Sequence, residues 1–67
     1  MKSAEHNFRI GSKVVSIFHK GSYVQEVKSI NSNSIEIYHH NKEYFYKAYR
    51  YDFRLANPKE IKAGRRL

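Results

Sequence analysis

The stretch SIEIYHH, residues 34–40, decides the fold, because apolar and polar side chains alternate in it at the two-residue period of a β-strand. One face carries Ile35, Ile37 and His39, and the other carries Glu36, Tyr38 and His40. Asn41 indicates a turn, so residues 42–47 are predicted to return as the second strand of a hairpin. In this hairpin Phe45 is expected to face the core, whereas Tyr44 and Tyr46 are expected to face away from it.

Three further strands are predicted on either side of the hairpin. Residues 13–18 are β-branched and aromatic without strict alternation, which indicates either two covered faces or a bulge. Residues 23–30 are interpreted as a bent strand, because Gly21 and residues 31–33 flank them as turns, with a short helix as the alternative. Residues 50–55 alternate again. The inward set is Tyr51, Phe53 and Leu55, and the outward set is Arg50, Asp52 and Arg54.

One helical turn is predicted near the C-terminus. Asn57 is a favourable N-cap, Pro58 suits the first helical position, and Glu60 stands where its side chain can reach back to the cap. Ile61 is expected to be the apolar contact of this turn with the sheet, and Gly64 is expected to end it.

These elements predict a mainly β fold, a small SH3-like or Tudor-like five-stranded barrel with a short C-terminal helical turn. An open sheet with the helix packed on one face is the alternative. Residues 1–7 are expected to form a flexible tail, and residues 8–67 a single domain.

Composition narrows the possible functions. The 67 residues carry a net charge of +7, which favours anionic partners such as nucleic acid or acidic proteins but also serves solubility. The absence of cysteine excludes disulfides, thiolate zinc sites and a cysteine nucleophile, and it suggests a cytoplasmic protein. No stretch has the length of a membrane span, and the polar N-terminus does not resemble a signal peptide.

No metal, cofactor or catalytic function is predicted. His39 and His40 are adjacent and would point to opposite sides of a strand, and no histidine spacing resembles a zinc motif. The glycines are isolated, so there is no phosphate-binding loop, and there is no nucleophile-elbow sequence. We therefore do not expect an enzyme.

Two segments resemble known families. FRLANPKEIKAGRR, residues 53–66, resembles the C-terminal tail of small accessory proteins of tailed phages and prophages. FRIGSKVV, residues 8–15, resembles the first strand of SH3-like and Tudor-like barrels. The resemblance implies a phage or prophage source and transfers no catalytic or binding residue to this chain.

The candidate binding residues come from the mixture of tyrosine with lysine and arginine in the second half of the chain. Aromatic rings stack on bases and cations hold phosphates, which is the composition that a single-stranded nucleic-acid surface requires. The same residue types would also fill a small core or keep a chain terminus solvated. The candidates are Tyr38, Tyr44, Tyr46, Lys47, Arg50, Arg54, Lys62, Arg65 and Arg66.

The leading hypothesis is a basic binding module that contacts DNA or RNA through these residues. The alternative is a phage-type adaptor or inhibitor that binds an acidic surface of a host protein, with tyrosine and arginine as anchors. A third possibility is a structural protein that pairs with copies of itself through a sheet edge. The chain is expected to be a monomer or a weak homodimer, with no membrane partner.

Overall fold

The computed structural model describes residues 7–39 and 42–67. The described elements are strands β1 (Lys13–Ser16), β2 (Gln25–Ile30), β3 (Ser34–Tyr38), β4 (Phe45–Tyr49) and β5 (Phe53–Leu55), a 3-10 turn (Arg50–Asp52) and helix α1 (Pro58–Ala63). The mainly β fold class with one short C-terminal helix is therefore confirmed. The predicted tail lies outside the described residues except for Asn7, and so do His40 and the turn residue Asn41.

The strands form one antiparallel sheet in the order β4-β3-β2-β1-β5. The chain runs as a meander from β1 to β4 and then returns, so that the last strand pairs beside the first. Among the described residues, strands β4 and β5 are the two edges of the sheet and do not pair with each other, so the expected barrel is not confirmed.

The core lies against one face of this sheet, called the core face below. The buried residues that form it are Phe8, Val14, Val27, Ile35, Ile37 and Phe53, and the residues that pack against it are Ile30, Ala48 and Leu55. The inward positions predicted for β3 and β5 are thus correct at Ile35, Ile37 and Phe53.

Strand β1 is covered on both faces, which explains why its apolar residues do not alternate. Val14 belongs to the core, and its neighbour Val15 is equally buried although it points to the opposite face. Val15 pairs with Arg54 of β5, and Arg54 in turn contacts Glu60 of helix α1. The first of the two explanations expected from the sequence is therefore correct. The strand ends at Ser16, and Phe18 is exposed.

Strand β2 is bent by a change of register. Val27 pairs with Ile37, whereas Ser29 pairs with Glu36, so one extra residue, Lys28, is inserted between two paired positions. The prediction of a bent strand is confirmed from Gln25 to Ile30, and the helical alternative is wrong.

The register between β3 and β4 overturns the orientation predicted for the second strand of the hairpin. Tyr38 pairs with Phe45 and Ile37 pairs with Tyr46, so Phe45 lies on the face opposite the core and Tyr46 lies on the core face. Half of the Phe45 surface, 50%, is exposed, so its assignment to the core is wrong. A shift of one residue in pairing transfers every side chain of a strand to the other face, and alternation alone does not set that choice.

The segment predicted as a strand over residues 50–55 divides into the 3-10 turn and β5. Tyr51 lies in the turn and is 47% exposed, so the prediction that it faces the core is wrong. The turn interrupts the alternation, which holds only from Phe53 onward.

The predicted caps of helix α1 are confirmed. The Asn57 side chain accepts a hydrogen bond from the Glu60 amide, the Glu60 side chain accepts from the Asn57 amide, and Gly64 ends the helix at φ 80°. Ile61 was expected to pack on the sheet, but it is 48% exposed, so this prediction is wrong. The buried side chain of this short helix is Glu60.

The residues after the helix are held by backbone hydrogen bonds. Val24 donates to the Gly64 carbonyl, Arg66 donates to the Ser22 carbonyl, and Gly21 donates to the Arg66 carbonyl. The end of the chain therefore runs beside residues 21–24 and is not a frayed tail.

No helix in the described part of the chain is long and apolar enough to cross a membrane.

Candidate nucleic-acid interface

The face of the sheet opposite the core, called the outer face, is covered at one end and open at the other. At the β1–β5 end, helix α1 brings Glu60 onto Arg54, and Val15 is fully buried. At the β3–β4 end, the outer face carries Tyr38 on β3 with Phe45, Lys47 and Tyr49 on β4. The three β4 side chains are exposed, so this open end is the part of the outer face that a partner can reach.

Aromatic rings form two contacting pairs on the open end. The rings of Tyr38 and Phe45 meet edge to face at 6.5 Å, and those of Tyr49 and Tyr51 meet at 5.4 Å. Tyr49 is 55% exposed, similar to Phe45 and Tyr51. The ring surfaces therefore remain largely available while the edge contacts restrict their rotation.

Lysines stand among these rings. The Lys28 ammonium lies 4.4 Å from the centroid of the Phe45 ring, which is a cation–π distance. Lys47 is exposed and lies between Phe45 and Tyr49 along β4. Glu36 is the acidic neighbour; it accepts from the Ser29 hydroxyl at 2.7 Å and lies 3.8 Å from the Lys28 ammonium. We call Lys28, Tyr38, Phe45, Lys47, Tyr49 and Tyr51 the aromatic face.

The sequence predicted two members of this surface, Tyr38 and Lys47, as contact residues. It assigned Phe45 and Tyr51 to the core, and it did not select Lys28 or Tyr49. The alternation of Phe45, Lys47 and Tyr49 contains the signal for the missed residues, but it becomes readable only once the pairing of Phe45 with Tyr38 is known.

Two of the predicted tyrosines lie elsewhere. Tyr46 is on the core face at the edge of the sheet, where its hydroxyl donates to the Gln25 side chain at 3.2 Å. Tyr44 is exposed and precedes β4, and its carbonyl accepts from the His39 amide. The structure therefore does not bring Tyr38, Tyr44 and Tyr46 together on one surface.

The predicted arginines of the 3-10 turn and β5 make internal contacts. Arg50 donates to the carbonyls of Asn31 and Ser32 and lies 5.9 Å from the Tyr51 ring, so it holds the β2–β3 turn beside the aromatic face. Arg54 makes a two-pronged ion pair with Glu60, with N–O distances of 2.9 and 2.8 Å. These contacts give both side chains a structural role.

The remaining predicted cations lie in the C-terminal segment. Lys62 is exposed on helix α1, and Arg66 is half-buried. Arg65 is exposed, and its backbone forms an isolated antiparallel β-bridge with Tyr23. None of the three belongs to the open end of the outer face as defined by the β3–β4 pairing.

Glu60 organises the C-terminal segment. Its side chain is 1% exposed and accepts hydrogen bonds from Arg54, from the Asn57 amide and from the Leu67 amide. The Arg54 guanidinium is the largest cause that lowers the pKa of this carboxyl, to about 2, against the opposing effect of burial. The conspicuous residues of the tail, Arg54, Asn57, Glu60 and Gly64, thus have structural explanations.

Searches for related proteins found nothing that matches this chain: no family model, no curated protein and no solved structure does so. Within residues 7–39 and 42–67, no group of three or more histidine and acidic side chains is placed to hold a metal ion.

Proposed function

We propose that this chain is a small binding module that holds single-stranded nucleic acid on its aromatic face. The observation that carries the proposal is the row of exposed rings, Phe45, Tyr49 and Tyr51, with Lys47 between the first two. Bases offer an apolar face to such rings, and phosphates offer a negative charge to the lysines.

The dimensions of β4 suit a short stretch of nucleotides. Phe45 and Tyr49 are four positions apart, which corresponds to about 13 Å along a strand at ~3.3 Å per residue. Phe45 and Tyr49 therefore stand far enough apart to stack two different bases of one strand. Duplex DNA has its bases stacked on each other, so it offers no free base to these rings and is expected to bind more weakly.

An SH3-like or Tudor-like relationship and a phage or prophage source belong to the same proposal. An antiparallel sheet whose fifth strand pairs with its first supports the fold relationship, since the sheet has the strand connections of a small barrel without the closing pair. A cytoplasmic site of action follows if the partner is DNA or RNA of a host cell.

The test is a titration of fluorescently labelled single-stranded DNA, single-stranded RNA and duplex DNA at two salt concentrations, followed by anisotropy. Replacing Phe45 or Tyr49 by alanine is expected to weaken single-strand binding by about 5- to 150-fold, since one stacked base contributes about 1–3 kcal/mol. Lys47→Ala is expected to reduce the salt dependence by about one counterion, because it removes one phosphate contact.

Tyr44→Ala is the matched control. Tyr44 is an exposed aromatic residue next to Phe45 in the chain, but alternation places it off the aromatic face. Its replacement should leave the affinity within about twofold of the original. Equal losses for Tyr44→Ala and Phe45→Ala, or binding without salt dependence, would reject the aromatic face as the binding surface.

A protein partner is the second candidate, and the observation that favours it is the position of β4 at the edge of the sheet formed by the described residues. An extended segment of an acidic host protein can add to such an edge as another strand, with the neighbouring aromatic side chains as anchors. Capture from a bacterial lysate after nuclease treatment distinguishes the two candidates, because a protein partner survives that treatment and one held through nucleic acid does not.

A further inference from the structure

A hollow of about 210 Å³ opens where helix α1 and strands β1 and β2 meet the described residues His39 and Lys42. Lys13, Lys42 and His39 line it together with Glu26, and Val24 and Ile61 give it an apolar side. At ~30 Å³ per water molecule in the liquid, the space corresponds to about seven waters. It therefore has room for a small anion with part of its hydration shell.

Two lysines converge on one carboxylate in this hollow. The ammonium groups of Lys13 and Lys42 lie 2.7 and 3.0 Å from the same oxygen of Glu26. The Lys13 hydrogen bond is the largest cause that lowers the pKa of Glu26, followed by that of Lys42, so the carboxylate stays ionised at neutral pH. Two cations around one anion leave an excess of positive charge at the mouth of the hollow.

Lys42 adopts a backbone conformation that is unusual for its residue type. Its φ of 63° lies in the left-handed region, where a side chain other than that of glycine or asparagine is disfavoured. In this conformation its ammonium group reaches Glu26 and stands 5.9 Å from the centroid of the Tyr38 ring. Such strained positions concentrate at binding sites, where the surrounding structure holds them.

We propose that this hollow binds a phosphate group through Lys13 and Lys42, with Glu26 holding both ammonium groups in place until the phosphate displaces it. Lysine binds phosphate as a compact point charge. A phosphate carries more charge and more acceptor oxygens than the Glu26 carboxylate, so it can use both lysines and still be solvated. Val24 and Ile61 then face the organic part of a phosphate ester.

The position of the hollow suggests the source of the phosphate. Lys42 lies beside Tyr38, which begins the aromatic face, so a nucleic-acid strand stacked on that face would extend into the hollow. This second step rests on the proposed function, whereas the binding of phosphate itself does not.

The test is a nuclear magnetic resonance titration of the full chain with inorganic phosphate and, at matched ionic strength, with acetate. Amide shifts at Lys13, Glu26 and Lys42 are expected to saturate with phosphate and to remain small with acetate. Lys42→Gly is expected to abolish the response without backbone strain, because glycine suits the left-handed region. Equal responses to both anions, or saturation that persists in Lys42→Gly, would overturn the proposal.

The Glu26→Gln variant gives the sharper comparison. Removing the competing carboxylate is expected to tighten phosphate binding by about two- to fivefold, the value of one exposed charge interaction. Asp52→Asn is the control, since it makes the same change in net charge on the 3-10 turn, away from the residues that line the hollow. Weaker binding in Glu26→Gln, or equal tightening in both variants, would show that Glu26 does not compete for the site.

A final arm adds an unlabelled single-stranded oligonucleotide. Shifts in the hollow and on the aromatic face together would support the nucleic-acid source. Phosphate binding without any response to the oligonucleotide would leave the hollow as a site for small phosphate esters and would reject the proposed function.

Discussion

Removal of the buried Glu60 carboxylate is expected to cost this protein a large part of its stability. This carboxylate is buried in a domain that has no disulfide, and it joins β5, the start of α1 and the chain end through Arg54, Asn57 and Leu67. The change Glu60→Gln keeps the size of the side chain but removes its charge. The Arg54 guanidinium, only 23% exposed, then loses its charged partner.

The size of the effect follows from the pKa of Glu60. A shift from 4.5 to about 2 corresponds to about 3 kcal/mol of stability at neutral pH, at about 1.4 kcal/mol per pKa unit. A domain of 67 residues has a free energy of unfolding of roughly 3–10 kcal/mol in total. The loss of this carboxylate is therefore expected to remove a third or more of the stability.

The same shift fixes the pH dependence. Because the folded-state pKa lies below the unfolded-state value, the contribution of Glu60 is complete above pH 4.5 and is lost as the pH falls toward 2. Between pH 7 and pH 3, about 2 kcal/mol of this contribution should disappear. In the original protein, a loss well below this value would contradict the role of Glu60, so the measurement remains informative if Glu60→Gln does not fold.

Urea denaturation followed by circular dichroism at pH 7 and pH 3 is the assay. Glu36→Gln is the control, because Glu36 forms a looser pair with Lys28 at 3.8 Å, and both members of this pair are more exposed than Arg54 and Glu60. Its loss should cost no more than about 1 kcal/mol. The reasoning would be refuted if Glu60→Gln cost no more than Glu36→Gln, or if its stability fell between pH 7 and pH 3 as much as that of the original protein.

Two further predictions test the packing. Ile35→Ala should destabilise the fold by about 2–5 kcal/mol, because it opens a cavity in the core. Phe45→Ala should cost about 1 kcal/mol or less, because that ring is half exposed. Equal losses of the two variants in urea denaturation would contradict the observed register. Gly64→Ala should cost about 1 kcal/mol, since φ is 80° there although the space around its Cα is open, and a thermal melt that does not move would show that the helix ends in another way.

Some elements of the fold could be predicted from local sequence because each one requires only near neighbours. The alternation of Ile35 and Ile37 set both the strand and its buried face. The spacing of Asn57, Pro58, Glu60 and Gly64 set the start and the end of α1, since caps act within one turn of the helix. The bend in β2 was also visible, as an interruption of the period.

Other features depended on pairing across the chain. Phe45 lies on the outer face because it pairs with Tyr38. The alternation of the hairpin is equally compatible with Phe45 on the core face, so alternation alone does not decide between the two faces. Glu60 was recognisable as a capping residue, but nothing near it in the sequence showed that Arg54 would bind it in a buried position. The assignments of Tyr51 and Ile61 to the core were wrong as well, because Tyr51 lies in the 3-10 turn that interrupts the alternation and Glu60 is the buried residue of helix α1.

The candidate sites show the same division. The sequence by itself determined that the chain is basic, small, mainly β and rich in tyrosine near its C-terminal half, since these properties are sums over residues or patterns of adjacent residues. Only the tertiary structure decided which of those residues meet: Phe45, Lys47 and Tyr49 on an open surface, and Lys13 with Lys42 around Glu26. The physical reason is that strand register and long-range contacts bring together residues whose separation along the chain carries no periodic signal.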